Sequence, residues 1–199
     1  VADARLIGYE SCRPVPWKNG GGRTVSLATC PDAAGMEDFE WRISIAEIDR
    51  ATSYSVFSGI DRTQILLTGQ GLGLRAASWR FCLAEPYQSV DFSGDTAVEC
   101  ELINGLCTVL NVMVRRELMT AEAEIIRGSF HRALDGMHHV FFVAQGAYEI
   151  CCPDVPVTRT LTAGNGLRLD AGGHMLRART VAATEAVMIA VSFRALQGK

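Results

Sequence analysis

The stretch Phe39-Glu40-Trp41-Arg42-Ile43-Ser44-Ile45-Ala46-Glu47-Ile48 limits the fold more than any other in the chain. Side chains of an extended strand alternate between its two faces, so this segment puts Trp41, Ile43 and Ile45 on one face and Arg42, Ser44 and Ala46 on the other. Similar short period-2 segments recur at 24–29, 63–68, 72–75, 90–92, 97–102 and 108–114, separated by Gly, Asn and Asp. Helical periodicity is scarce, and this pattern predicts an all-β sandwich or barrel. Residues 31–38 and 49–58 read as loops, and Arg5-Leu6-Ile7 as a first strand.

A repeat refines the expectation. Leu66-Leu67-Thr68-Gly69-Gln70-Gly71-Leu72-Gly73-Leu74 is echoed by Phe141-Phe142-Val143-Ala144-Gln145-Gly146-Ala147-Tyr148-Glu149-Ile150, 75 residues later. Each copy reads as strand, Gln-Gly hairpin turn and strand, which suggests two similar barrels divided as residues 1–117 and 118–199. Near the end, Gly164-Asn165-Gly166-Leu167-Arg168-Leu169-Asp170-Ala171-Gly172-Gly173-His174 is similar to the second signature of the cupin superfamily. The His-x-His of the first signature is absent. His138 and His139 are adjacent, so their imidazoles diverge on a strand and cannot share one ion. Neither a metal nor another cofactor is expected.

With 199 residues, 48% of them hydrophobic, the chain is long enough to bury a substantial core. A net charge of −3 gives no general attraction to polyanions, which argues against a nucleic-acid partner. No apolar run is long enough for a membrane span, and the start lacks the basic-then-apolar pattern of a signal peptide. The seven cysteines are scattered without CxxC, and Cys151 and Cys152 are expected on opposite strand faces. Reduced thiols in a cytoplasmic protein fit this distribution best. A homodimer is compatible with the sequence.

The most unusual stretch is Pro16-Trp17-Lys18-Asn19-Gly20-Gly21-Gly22-Arg23-Thr24. Three glycines cost backbone entropy and add no side chain to a core, so they mark a turn with positive φ or a close approach to a ligand or another strand. A tight loop entering a strand is the plainer of these readings. The GxxxxGK[ST] and GxGxxG patterns of nucleotide loops are absent, and nothing helical follows.

Together with Phe39–Glu47, Phe57-Ser58-Gly59-Ile60-Asp61-Arg62 and Leu110-Asn111-Val112-Met113-Val114-Arg115-Arg116, this stretch resembles the HutD/Ves family of cupin-like proteins over about residues 5–120. The resemblance implies a bicupin fold without the usual metal site. It also implies either a protein that binds a histidine-pathway metabolite such as a formylglutamate-like carboxylate and restrains that pathway, or a stress-associated Ves protein. Two positions depart from the family pattern: Ser58 stands where a proline is usual, and Val109 where an aspartate is usual.

Within these motifs a ligand-binding set is expected of Trp17, Lys18, Asn19, Arg42, Ser44, Arg62, Asn111 and Arg115. A guanidinium grips a carboxylate with two parallel hydrogen bonds, and does so best when partly desolvated. Lys18 would add a point charge, Asn19 an amide and Trp17 an apolar wall. Glu47 and Asp61 are the acids beside the arginines. The plain alternative is three solvated arginines on outer faces. Three functional readings follow: a non-catalytic carboxylate sensor, which is favoured; a metal-independent isomerase or hydrolase using the same pocket; and a structural or interaction module. Met113, Phe141 and Phe142 read as core, and His138-His139 as structural.

Overall fold

The computed structural model describes residues 3–153, 155, 157–170, 172–181 and 185–196, and among them no α-helix occurs. The chain opens with β1 (Asp3–Gly8), a 3-10 turn, β2 (Val15–Pro16) and β3 (Gly22–Cys30). Eight strands follow: β4 (Trp41–Ile48), β5 (Thr52–Ser53), β6 (Ile60–Thr68), β7 (Leu72–Arg75), β8 (Arg80–Leu83), β9 (Ser89–Ser93), β10 (Glu99–Leu102) and β11 (Cys107–Arg115). Eight more complete it: β12 (Met119–Arg127), β13 (Phe130–Ala133), β14 (His138–Gln145), β15 (Ala147–Cys152), β16 (Val157–Thr162), β17 (Asn165–Asp170), β18 (Met175–Thr180) and β19 (Val187–Ala195).

The two sets of eight have the same pairing order. β9-β6-β11-β4 and β5-β10-β7-β8 form the sheets of the first, and β17-β14-β19-β12 and β13-β18-β15-β16 those of the second. Two four-stranded sheets connected in this order make a jelly roll, an arrangement that leaves few exposed strand edges. The duplication suggested by the 75-residue echo is therefore visible as repeated topology. The echoed turns, however, are not paired hairpins. β6 pairs with β9 and β11 whereas β7 pairs with β8 and β10, so Gln70-Gly71 carries the chain from one sheet to the other. Gln145-Gly146 does the same between β14 and β15.

The chain divides into two compact units, Cys12–Met119 and Val1–Ser11 with Thr120–Lys199. This differs from a cut at 117/118 in that the boundary lies at 119/120 and the first strand belongs with the C-terminal unit. β1 pairs antiparallel with β17, from Asp3 opposite Asp170 to Gly8 opposite Asn165, and extends that sheet to five strands. In the other unit β3 and β2 extend the β4 edge to give six strands.

Each unit has an apolar core between its sheets. In the first, Ala46, Ile48, Leu66 and Val109 of the six-stranded sheet meet Leu72, Leu74 and Cys100 of the four-stranded one. In the second, Phe141, Val143, Leu167 and Met188 meet Tyr148, Ile150, Leu161 and Leu176. Burying one such side chain contributes roughly 1.5–3 kcal/mol, which is what holds the sheets face to face. β4 shows the expected alternation but is buried on both faces, with Trp41, Ile43 and Ile45 as inaccessible as Ala46 and Ile48. None of the seven cysteines is in a disulfide, and Cys152 is buried and Cys151 partly exposed, as alternation along β15 requires.

Candidate functional site

β4, β11 and β6 lie side by side in the six-stranded sheet. Across them Ser44 is opposite Asn111, and Asn111 opposite Gln64. Two residues along, Arg42 is opposite Met113, and Met113 opposite Arg62. Residues two apart share a face, so this polar block sits on the same inner face as Ala46, Leu66 and Val109. One end of the jelly-roll interior is thus apolar, and the other carries two cations, two amides and a hydroxyl.

These groups are buried: Arg42 is 9% exposed, Arg62 8% and Ser44 1%. Gln64 Nε2 donates to the Tyr54 hydroxyl at 3.0 Å and to Asn111 Oδ1 at 3.3 Å, and Arg62 Nη2 approaches the same oxygen at 3.5 Å. The Arg62 guanidinium lies 4.9 Å from the Phe92 ring centroid, 5.2 Å from Tyr54 and 5.6 Å from Phe57. Aromatic faces attract a cation but offer no hydrogen-bond acceptor in the guanidinium plane. Arg62 Nε is correspondingly buried with no hydrogen-bond partner among the described residues.

Electrostatics follow from burial. Desolvation pulls the Arg62 pKa down to about 10, with Tyr54 opposing the shift and the nearby Arg42 adding to it. Arg42 is lowered by the same cause. Both remain protonated at neutral pH. Burial pushes Tyr54 well above its ordinary value and Cys100 up to about 11, so the neighbouring phenol and thiol are neutral. Among the described residues no carboxylate forms an ion pair with Arg42 or Arg62. Glu47 takes Arg23 at 2.7 Å, and Asp61 takes Arg116 at 2.9 Å. Both acids occupy odd positions on β4 and β6, which is the opposite face. The arrangement is a buried set of donors with surplus positive charge.

The expected set divides accordingly. Arg42, Ser44, Arg62 and Asn111 come together. Trp17 joins them indirectly: its ring meets Tyr54 edge-on at 6.1 Å, and its Nε1 donates to Thr24 Oγ1 at 2.7 Å. Lys18 is exposed on the turn. Asn19 is occupied as a clip, accepting the Gly21 N–H at 3.1 Å and donating to Thr52 Oγ1 at 2.7 Å. Arg115 is directed to the rim, where it donates to the Glu37 carbonyl at 2.8 Å. Tyr54, which the site acquires, lies in a stretch read as loop. Gln64 was legible only as the neighbour of Arg62 on its strand face.

Asn19→Ala tests this division. Loss of exposed hydrogen bonds should cost about 0.5–1 kcal/mol of stability. If the expected carboxylate ligand is the right class, its affinity should be unchanged, by titration beside a melting curve. An affinity loss without destabilisation would return Asn19 to the site.

The motif around Gly59 has a separate cause. Gly59 has φ +72°, and its N–H and the Ser58 hydroxyl both donate to Asp95 Oδ1. The Gly59 N–H, followed by Arg116, Ser93 and Ser58, holds the Asp95 carboxyl far below the usual carboxylate range. This turn sets the start of β6 and hence the position of Arg62.

In the other unit His139 is 1% exposed and its pKa is lowered, chiefly by burial. A native state that holds histidine neutral is at full advantage above the unfolded value of about 6.5 and loses stability as pH falls below it. Melting temperatures at pH 7 and 5 should therefore drop for the wild type and drop less for His139→Gln. Equal slopes would remove His139 as the cause. Among the described residues no group of three or more His, Cys, Asp or Glu is placed to hold a metal, and no helix is long and apolar enough to cross a membrane.

Residues 9–189 match the family model described as HutD. An uncharacterized 21.2 kDa protein in the hutC 3′ region of Pseudomonas putida is 28% identical over 176 residues, 88% of this chain and 92% of its own. Protein Ves of Citrobacter koseri is 31% identical over 173 residues, 85% of this chain and 86% of its own. The solved structure of HutD from Pseudomonas fluorescens SBW25, in a formate condition, superposes with a TM-score of 0.82 at 24% identity, covering 98% of this chain and all of that one.

Proposed function

Because the chain belongs to the HutD family, and because two buried arginines in it lack a carboxylate among the described residues, we propose that it is a carboxylate-binding protein of histidine utilisation or stress response. The binding site is the polar end of the jelly-roll interior in the Cys12–Met119 unit. Arg62 is the observation that carries this reading. Its guanidinium is buried, cationic and short of one acceptor, and an uncompensated buried charge is costly unless an anion completes it. A ligand carboxylate supplies that acceptor and the countercharge together. Arg42 adds a second cation, Ser44 and Asn111 supply neutral donors that orient the ligand, and Gln64 fixes the Asn111 amide through its own N–H.

A formylglutamate-like carboxylate is the ligand class proposed. The relative in the hutC 3′ region supports the histidine-utilisation branch, and the Ves relative supports the stress branch. Binding without catalysis is favoured by the groups present, since the neighbouring phenol and thiol are neutral and, among the described residues, the paired strand positions of this face hold no carboxylate or imidazole to act as a base.

The test is a thermal-shift and calorimetric screen of formylglutamate, glutarate, glutamate and formate, with small amines as controls. A ligand that prefers the native state raises its stability by about 2.7 kcal/mol at a hundred times its Kd. Saturable binding of a carboxylate, chemically unchanged on recovery, is the expected result. Conversion of the bound compound would replace the sensor with an enzyme. Absence of carboxylate binding at millimolar concentrations would overturn the reading.

A further inference from the structure

The C-terminal jelly roll has its own opening, a cavity of about 240 Å³ over β12, β14 and β19. Its position corresponds to the arginine site. Six residues before the Gln-Gly corner stand Gln64 in the first copy and His139 in the second, and their cross-strand partners are Asn111 and Ser192. Each interior therefore has a polar end at the same place in the topology.

The floor is formed by His139, Ser192, Phe141 and Ala190. His139 Nε2 accepts the Gly136 N–H at 3.1 Å, so that nitrogen carries no proton. The proton is on Nδ1, which donates to Ser192 Oγ at 3.0 Å, and the imidazole is neutral. The Ser192 hydroxyl hydrogen is left to donate to an oxygen in the cavity.

The rim carries three carboxylates against two guanidiniums. Arg194 bonds Glu122 at 3.0 Å and both oxygens of Asp135 at 2.9 and 3.0 Å, and Arg132 bonds one oxygen of Glu124 at 2.6 Å. Both arginines are thus engaged. Glu122 and Glu124 each use a single oxygen, and they are two apart on β12, hence on one face about 7 Å from each other. Their side chains are 71% and 51% exposed, so these ion pairs are weak and can rearrange around a ligand.

We propose that this cavity is a second ligand site, selective for a small organic ammonium compound that also bears an oxygen acceptor. The ammonium sits between Glu122 and Glu124, donating one N–H to the free oxygen of each and keeping its third N–H for solvent. The short apolar stem lies on Phe141 and Ala190, and the far oxygen accepts from Ser192. An anion is disfavoured by the carboxylate excess. The two copies would then select ligands of opposite charge, and this proposal does not depend on the carboxylate reading of the first.

Three probes of one length separate the outcomes: 4-aminobutan-1-ol, 1,4-butanediol and 4-hydroxybutyrate, titrated into the full chain and followed by amide NMR shifts of Gly136, His139 and Ser192. The amino alcohol should saturate with a Kd below about 10 mM, and the neutral and anionic probes should bind at least about tenfold more weakly. Glu122→Gln with Glu124→Gln should weaken the amino alcohol about tenfold, and Arg62→Met should leave it unchanged. Amino alcohol binding that survives the double substitution, matching affinity for the anion, or no saturation by the amino alcohol would each overturn the assignment.

Discussion

Arg62→Met is expected to weaken carboxylate binding more than tenfold while the melting temperature stays level or rises. Truncating one partner of a buried charge pair typically costs about 2–5 kcal/mol in binding. Stability behaves otherwise, because without ligand Arg62 is a desolvated cation inside three aromatic rings. Replacing a buried charge by an apolar side chain of similar length is often neutral or stabilising. Arg62→Lys should not restore affinity, since a point charge lacks the planar fork. Arg62→Ala should lose binding and also some stability. On motif position alone, little change in stability is expected for any Arg62 variant, on the ground that a ligand site is not the core. The structure revises this, because the arginine stem packs at the edge of the core and its removal leaves a void. Calorimetric titration of the three variants, with melting curves alongside, gives the answer. Equal affinities across the series would remove Arg62 from the site.

Gly22→Ala is expected to be the most damaging single-methyl change in the glycine run, costing about 2–4 kcal/mol. A Cβ at Gly22 would lie 2.2 Å from the Glu47 carbonyl oxygen, backbone against backbone across β3 and β4, where neither strand can yield without breaking its ladder. Gly21→Ala should cost less, because its Cβ would meet the Thr52 side chain at 2.5 Å and a side chain can turn away. Gly20 has open space around it but φ +71°, so alanine there should cost only the left-handed penalty of about 1–2 kcal/mol. The ranking can be read from melting temperatures, with a fall of about 5–15 °C for Gly22→Ala. A milder Gly22→Ala than Gly20→Ala would mean the β3 edge is loose and the glycines serve something other than strand approach. The three consecutive glycines thus answer three different requirements, one of conformation and two of approach.

The all-β class, the two faces of β4 and the existence of a repeat were legible in the residues, because alternation and turn chemistry are local properties of a chain. The family motifs likewise marked Arg42, Arg62 and Asn111, whose shared face follows from strand parity once β4, β6 and β11 are neighbours. That they are neighbours is a long-range fact. β4 and β11 are the first and last of the eight strands of their jelly roll, and β1 finds its partner β17 near the far end of the chain. Strand parity says which side chains travel together, and says nothing about which face is turned inward. In β4 both faces are buried, so burial of Arg42 could not be told from the apolar pattern.

The C-terminal cavity was hidden for a related reason. No expected strand covers Thr120-Ala121-Glu122-Ala123-Glu124, whose alanines and glutamates carry little intrinsic strand preference. Only pairing of β12 with β19 makes it a strand and brings its two glutamates over His139. Asn19 and Arg115 show the converse: both have the right chemistry within a recognisable motif, but hydrogen bonds to Thr52 and to the Glu37 carbonyl hold their side chains away from the buried block. Residue type determined which groups were available to a ligand. Tertiary packing decided which of them were left with unsatisfied charge, because satisfaction depends on neighbours that the chain brings in from tens of residues away.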